Sequence, residues 1–155
     1  MTATTGTDAL ITTEMVDLNL QATTKDDATR HLAELLVAQG RITDLDGFLA
    51  DVRAREAQMA TGLEGGIGIP HCRSEHVTVP TLGFGKSDAG VDYGAADGPA
   101  HLIFLIAAPA GADSDHMKIL AALARRLVRA QFKDTLRAAT DPAAVADYIR
   151  TEVTP

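Results

Sequence analysis

Apolar residues recur at helical spacing in the first third of the chain. Ala28, Leu32, Leu35 and Leu36 fall on one side of a 3.6-residue repeat. Thr24 precedes them, with Asp27 in the first turn, and Gly40 stands where a C′ glycine ends a helix. The pattern predicts a helix over residues 25–39. Leu45, Phe48, Leu49 and Val52 repeat it behind Thr43, the expected cap of a second helix reaching about residue 58. A short strand candidate covers residues 15–18. Residues 61–66 are a turn-rich loop, and residues 67–69 a short strand stopped by Pro70, with His71 and Cys72 at its end. Residues 77–86 read as a strand, and residues 87–99 as a loop with a short extended piece near 90–93. Residues 101–108 are apolar on both faces, as in a covered strand. A long helix then opens at Asp113 or Ser114 and buries Ile119, Leu120, Leu123, Leu127 and Val128. Residues 132–139 predict a short helix, and Asp141 with Pro142 starts a terminal helix to about residue 152. Helices alternating with strands predict an α/β fold: one domain over residues 10–155, a central mixed β-sheet flanked by helices. Residues 1–9 read as a flexible N-terminus.

Composition narrows the functions. A chain of 155 residues is one domain with a core of its own. Its net charge of −7 repels phosphate backbones and argues against nucleic acid as a partner. A single cysteine, Cys72, excludes an internal disulfide and a multi-cysteine metal cluster. Trp is absent and aromatics are 4%, so stacking platforms have little to build with. The Thr-rich start carries no basic and apolar leader pattern, and the run over 102–110 is about half the ~20 residues of a membrane helix. The expected location is cytoplasmic, with any membrane connection made through a partner.

Five histidines remain as the versatile groups. His71 is held at a strand end by Pro70 beside flexible glycines, which suits a functional side chain, although strand-end histidines are also structural. His116 lies in the first turn of the long helix, where free N–H groups favour anions; it also reads as an exposed histidine. Arg55 is either a cation on the C-terminal dipole of its helix, paired with Glu56, or a guanidinium clamp for an anion. His31 is expected to face solvent, His76 sits in a polar loop, and His101 opens a strand. Cys72 points away from its neighbour His71 in an extended segment and reads as packing rather than as a nucleophile.

Taken jointly, Arg55, Glu56, Thr61 and Gly62, then Gly66, Ile67, Gly68, Ile69, Pro70 and His71, resemble a known family. It is the type-2 enzyme IIA domain of the bacterial phosphoenolpyruvate:sugar phosphotransferase system, of the fructose/mannitol kind. Its pattern is approximately R-E-x4-T-G followed by G-x-A-x-P-H. Arg55 precedes His71 by 16 residues, as in the family. His116, Ile119, Leu120 and Leu123 resemble its H-x-x-x-L-x-x-L helix start. The likeness covers roughly residues 10–152. Gly68 departs from the family's usual alanine, a small change expected to loosen the strand before His71.

The resemblance implies a phosphoryl carrier that needs no cofactor and no metal. His71 would accept a phosphoryl group on Nε2 from phospho-HPr and pass it to a cysteine of enzyme IIB. The sugar, fructose by expectation, would enter through the membrane component IIC, which this chain would serve only indirectly. Arg55 and His116 would flank the phosphohistidine. The hydroxyl of Thr61, the N–H groups of Gly66 and Ile67, and those of residues 114–116 are further candidate donors. A backbone carbonyl in the glycine-rich segment or after His71 is expected to fix the ring tautomer. The acidic residues should lie away from this positive site, and an exposed apolar patch should surround it. A nitrogen-related regulatory enzyme IIA is the alternative. A histidine-based metal protein would need a third and fourth ligand that the sequence does not offer.

Overall fold

A computed structural model describes residues 9–111 and 113–153, with the side chains of residues 113–116 outside that description. A 3₁₀ turn (Thr13–Met15) leads to β1 (Val16–Asp17), α1 (Lys25–Ala38), α2 (Leu45–Gln58), β2 (Gly62–Leu63) and β3 (Ile67–Gly68). Then come β4 (His71–Ser74), β5 (Thr81–Val91), β6 (Ala100–Pro109), α3 (Asp113–Leu127), α4 (Ala130–Ala138) and α5 (Pro142–Val153). The sheet runs β1-β5-β6-β3-β2, and β4 also pairs with β6. The β5–β6 and β2–β3 pairs are antiparallel, while β1, β3 and β4 lie parallel to their partners. This is the α/β architecture expected, a mixed sheet flanked by five helices. No helix among the described residues is long and apolar enough to cross a membrane.

Alternate residues of β5 serve opposite layers. A methyl group at Gly83 or Gly85 would press on Leu36 or Leu32, so these glycines let α1 lie close to the sheet. Phe84, between them, faces the other layer, with its ring 5.0 Å from that of its cross-strand partner Phe104. Phe104 reaches Phe132 of α4 (6.4 Å), which stacks on Tyr148 of α5 (5.5 Å). The few aromatic residues are thus concentrated where sheet and helices meet, the arrangement that buries most apolar area per residue.

Local signals mark α1 well. The Thr24 hydroxyl accepts from the Asp27 N–H, and after the helix the N–H groups of Gly40 and Arg41 donate to Val37 and Leu36 in a Schellman pair. Elsewhere tertiary contacts override them. The cap of α2 is Asp44, whose carboxylate accepts from the Gly47 N–H, rather than Thr43, whose N–H and hydroxyl go to His76 O. β5 begins at Thr81, because residues 77–78 pair with residues 41–42 and Pro80 follows. It continues through an irregularity to Val91. The supposed loop over 61–66 holds β2, folded onto β3 by a turn whose Gly65 and Gly66 have φ of 92° and 79°. Val128 lies just beyond α3 and is 82% exposed, not buried.

The glycine at position 68 has a specific cause. A methyl group there would come within 2.8 Å of the Tyr93 ring. Tyr93 is fully buried, and its hydroxyl shares a 2.8 Å hydrogen bond with Thr29. The strand is therefore filled from outside by Tyr93 rather than loosened by the missing side chain. Gly68→Ala should cost about 1–3 kcal/mol by overpacking, read from a denaturant melt. An unchanged midpoint would show that the Tyr93 ring yields freely.

Candidate functional site

Strands β3 and β4 occupy one lane beside β6, with the same register before and after a break at Ile69 and Pro70. Pro70 has no N–H to offer, and its carbonyl accepts from Ile106 N–H (3.0 Å). The Ile69 N–H turns away from β6 and donates to the Thr61 carbonyl (3.1 Å). The Ile69 carbonyl instead accepts from Nδ1–H of His71 at 2.7 Å. A carbonyl only accepts, so this bond puts the proton on Nδ1 and leaves the lone pair on Nε2. The tautomer is fixed by a carbonyl, as expected, and that carbonyl lies two residues before His71, just after the glycine-rich turn.

His71 is 9% exposed and opens onto a cleft of about 910 Å³. Its pKa is lowered below the ordinary 6.5, chiefly by burial. The Ile69 hydrogen bond opposes that shift, Arg55 adds to it, and Glu56 opposes it. The neutral ring therefore predominates at pH 7. Asp51, Ala54, Arg55 and Gln58 form one stripe of α2 along the cleft. β4 supplies His71, Cys72 and Arg73, the approach to α3 supplies Ala110, and α3 itself supplies Met117 and Leu120. The cleft sits by the carboxyl ends of the parallel strands β4 and β6, the usual binding end of an open α/β sheet.

The structure brings His71 and Arg55 to the same cleft. It adds Arg73, which sequence reading missed although it stands two residues after His71 in an extended strand, the spacing that shares a face. Asp51 also lines the cleft, so the acidic residues are not all distant; its carboxylate accepts from the Ser74 hydroxyl (2.6 Å). The Cys72 thiol is pushed up to about 12 by burial and by Asp51, which leaves it protonated and unreactive at pH 7.

Three expectations are corrected. Thr61 is buried, and its hydroxyl hydrogen goes to Glu56 Oε1 (2.7 Å) while its N–H goes to Glu56 Oε2 (2.9 Å). It holds the backbone rather than offering a donor to the cleft. Gly66 and Ile67 belong to the hairpin and sheet: the Gly66 carbonyl accepts from His101 and Leu102, and Ile67 pairs with Leu102. Neither is among the residues lining the cleft. Glu56 is not a surface partner of Arg55 but a buried clamp on Thr61. His116 belongs by its backbone to the first turn of α3, and its side chain lies outside the described residues. His31 is half-buried and bonded to Asp17 (2.7 Å). His76 lies near Asp44 and Glu75, and Nδ1 of half-buried His101 donates to Ser87 O (2.8 Å).

The model of the family described as "Phosphoenolpyruvate-dependent sugar phosphotransferase system, EIIA 2" matches residues 9–152. The chain is 37% identical over 137 residues to a fructose-specific EIIA component from Haloferax volcanii, covering 88% of this chain and 89% of that one. It is 33% identical over 132 residues to a nitrogen regulatory protein from Pseudomonas aeruginosa, covering 84% of each. Its fold matches the nitrogen regulatory protein IIA-Ntr of Neisseria meningitidis, with a TM-score of 0.82, 24% identity, and 90% and 96% coverage. It also matches enzyme IIA mannitol in its complex with phosphorylated enzyme IIB mannitol from Escherichia coli, with a TM-score of 0.72, 23% identity, and 89% and 95% coverage. The chain belongs to the type-2 EIIA family of the phosphoenolpyruvate-dependent sugar phosphotransferase system.

The buried ring gives a direct expectation. Followed by ring-proton NMR against pH, His71 should titrate below 6.5, remaining mostly neutral at pH 6.5 and gaining its proton only in more acidic solution. A midpoint at or above 6.5 would mean that the carbonyl and Glu56 outweigh burial and Arg55.

Proposed function

We propose that this chain is a phosphoryl carrier in which Nε2 of His71 is the acceptor. The observation that carries this reading is the Nδ1–H bond to the Ile69 carbonyl, beside a cleft that also holds Arg55 and Arg73. The Nε2 lone pair attacks the phosphorus of phospho-HPr. A new N–P bond forms as the donor's N–P bond breaks, and its electron pair stays with the donor nitrogen. The Ile69 carbonyl is too weak a base to remove the Nδ1 proton, so the product ring is a phosphoimidazolium. When a thiolate of enzyme IIB attacks, the N–P electron pair returns to Nε2 and the neutral ring is restored. The retained proton makes the ring a good leaving group, as onward transfer requires.

Arg55 is suited to a bidentate grip on the transferring oxygens, where the developing charge must be met in place. His116, by family resemblance, completes this from the start of α3, whose first N–H groups favour an anion. The cleft wall also carries Met117, 62% exposed, and half-buried Leu120, an apolar surface for transient partners. Family membership supports HPr as donor and enzyme IIB as acceptor. The fructose-specific relative favours sugar transport, with IIC served indirectly and the chain working in the cytoplasm. The Pseudomonas relative supports a second reading, a regulator whose phosphorylation changes its partners.

Incubation with phosphoenolpyruvate, enzyme I and HPr should place one acid-labile phosphoryl group on each chain. His71→Ala should abolish it, and label persisting in that variant would overturn the assignment. Arg55→Lys keeps the charge and loses the fork, and should slow transfer about 10- to 100-fold, the worth of one or two charge-assisted hydrogen bonds. His116→Ala should still be labelled but pass the group to enzyme IIB more slowly. Rapid onward transfer to a fructose-type IIB would distinguish transport from regulation; labelling without such transfer would favour regulation.

A further inference from the structure

Glu56 is a buried group that the phosphoryl chemistry itself does not use. It sits in the last turn of α2, where the helix dipole disfavours an anion, and it is 8% exposed. Lys25 Nζ, on a half-exposed side chain, is 3.8 Å from its Oε2. A buried carboxyl acts through what it touches. Both of its oxygens are spent on one residue, Oε2 on the Thr61 N–H and Oε1 on the Thr61 hydroxyl. The Thr61 carbonyl takes the Ile69 N–H, and the Ile69 carbonyl takes Nδ1–H of His71.

We infer that Glu56 is a positioning residue for the transfer reaction, selecting the Nδ1–H tautomer of His71 through Thr61 and the Ile69 backbone. The inference rests on the proposed role of His71 as phosphoryl acceptor. Ile69 faces away from β6, whose N–H groups go to the Gly66 and Pro70 carbonyls, and lies opposite Thr61 in the β2–β3 register. Its N–H is tied to the Thr61 carbonyl, and Glu56 takes the Thr61 N–H that the register sets opposite the Ile69 carbonyl, which leaves that carbonyl to His71. Histidine in water favours the opposite tautomer, with the proton on Nε2, so a ring without this carbonyl would mostly present N–H to the phosphorus. Consecutive residues of α2 thereby act on opposite sides of one ring: Arg55 lines the cleft that Nε2 would use, and Glu56 secures the Nδ1 side.

The test is Glu56→Ala, compared with Thr61→Val and Glu56→Gln. Glu56 borders a cavity of about 220 Å³ that Lys25, Thr29, Val52 and Pro70 also line, so water can enter the vacated space and the fold can survive. Two-dimensional ¹H–¹⁵N NMR reads the tautomer, and steady-state phosphorylation by phospho-HPr reads the rate. In Glu56→Ala the Nε2–H form should become the major one, and kcat should fall at least tenfold with little change in KM for phospho-HPr. Thr61→Val, which keeps the N–H and loses the hydroxyl, should shift both readouts the same way by less. Glu56→Gln keeps a side-chain oxygen for the Thr61 N–H, and its amide can donate to the Thr61 hydroxyl, so it should retain most of the rate and the Nδ1–H form. A Glu56→Ala protein with native tautomer and native kcat would overturn the inference. Should that variant not fold, Thr61→Val decides, and a native tautomer there would overturn it equally. Failure of the wild-type chain to be labelled on His71 would instead refute the carrier reading itself.

Discussion

The hydrogen bond from Nδ1 of His71 to the Ile69 carbonyl is the contact on which the arrangement of the site depends. A histidine near a cation is commonplace; a neutral histidine with its lone pair assigned to one nitrogen is a prepared nucleophile. The sheet prepares it by being interrupted. Ile69 faces away from β6, and Thr61, opposite it in the β2–β3 register, gives its N–H to Glu56, so the Ile69 carbonyl is available to a side chain instead of a strand. β6, buried along residues 102–108, supplies the rigid edge that keeps the two halves in register across the break.

The electrostatics of the site follow from helix α2. One stripe of it faces the cleft with Arg55, Asp51 and Gln58, while Glu56 turns inward to Thr61. Burial and Arg55 lower the pKa of His71 and keep it unprotonated, whereas Glu56 and the carbonyl act in the other direction. The balance suits a carrier that accepts a group and gives it up, since a site that bound the phosphorylated state too firmly would not release it. The net charge of −7 is compatible with this because local geometry, not the sum, decides what His71 experiences.

Much of the fold was legible where local chemistry dictates structure. The Thr24 cap, the Gly40 stop and the apolar spacing between them define α1 within a residue of its observed end. The R-E…T-G and P-H elements pointed to Arg55 and His71, which share the cleft. What was not legible depends on contacts distant in sequence. Pairing of residues 77–78 with residues 41–42 displaces the start of β5. β4, with the sequence His71, Cys72, Arg73, Ser74, has no apolar alternation to announce it, so Arg73 went unnoticed. Glu56 stands beside Arg55 in sequence but turns from the cleft to Thr61, which no local pattern reveals. The glycine at position 68 made sense only once Tyr93 was found against it.

In the role proposed for His71, one backbone carbonyl decides which ring nitrogen reacts and where the proton stays. The most direct measurement is NMR of the ¹⁵N-histidine-labelled chain after phosphorylation by phospho-HPr, reading the phosphorus–nitrogen coupling and the ring protonation together. Phosphorus should couple to Nε2 of His71, with Nδ1 still bearing its proton. Phosphorus on Nδ1, or a ring that has lost the Nδ1 proton at pH 7, would contradict it.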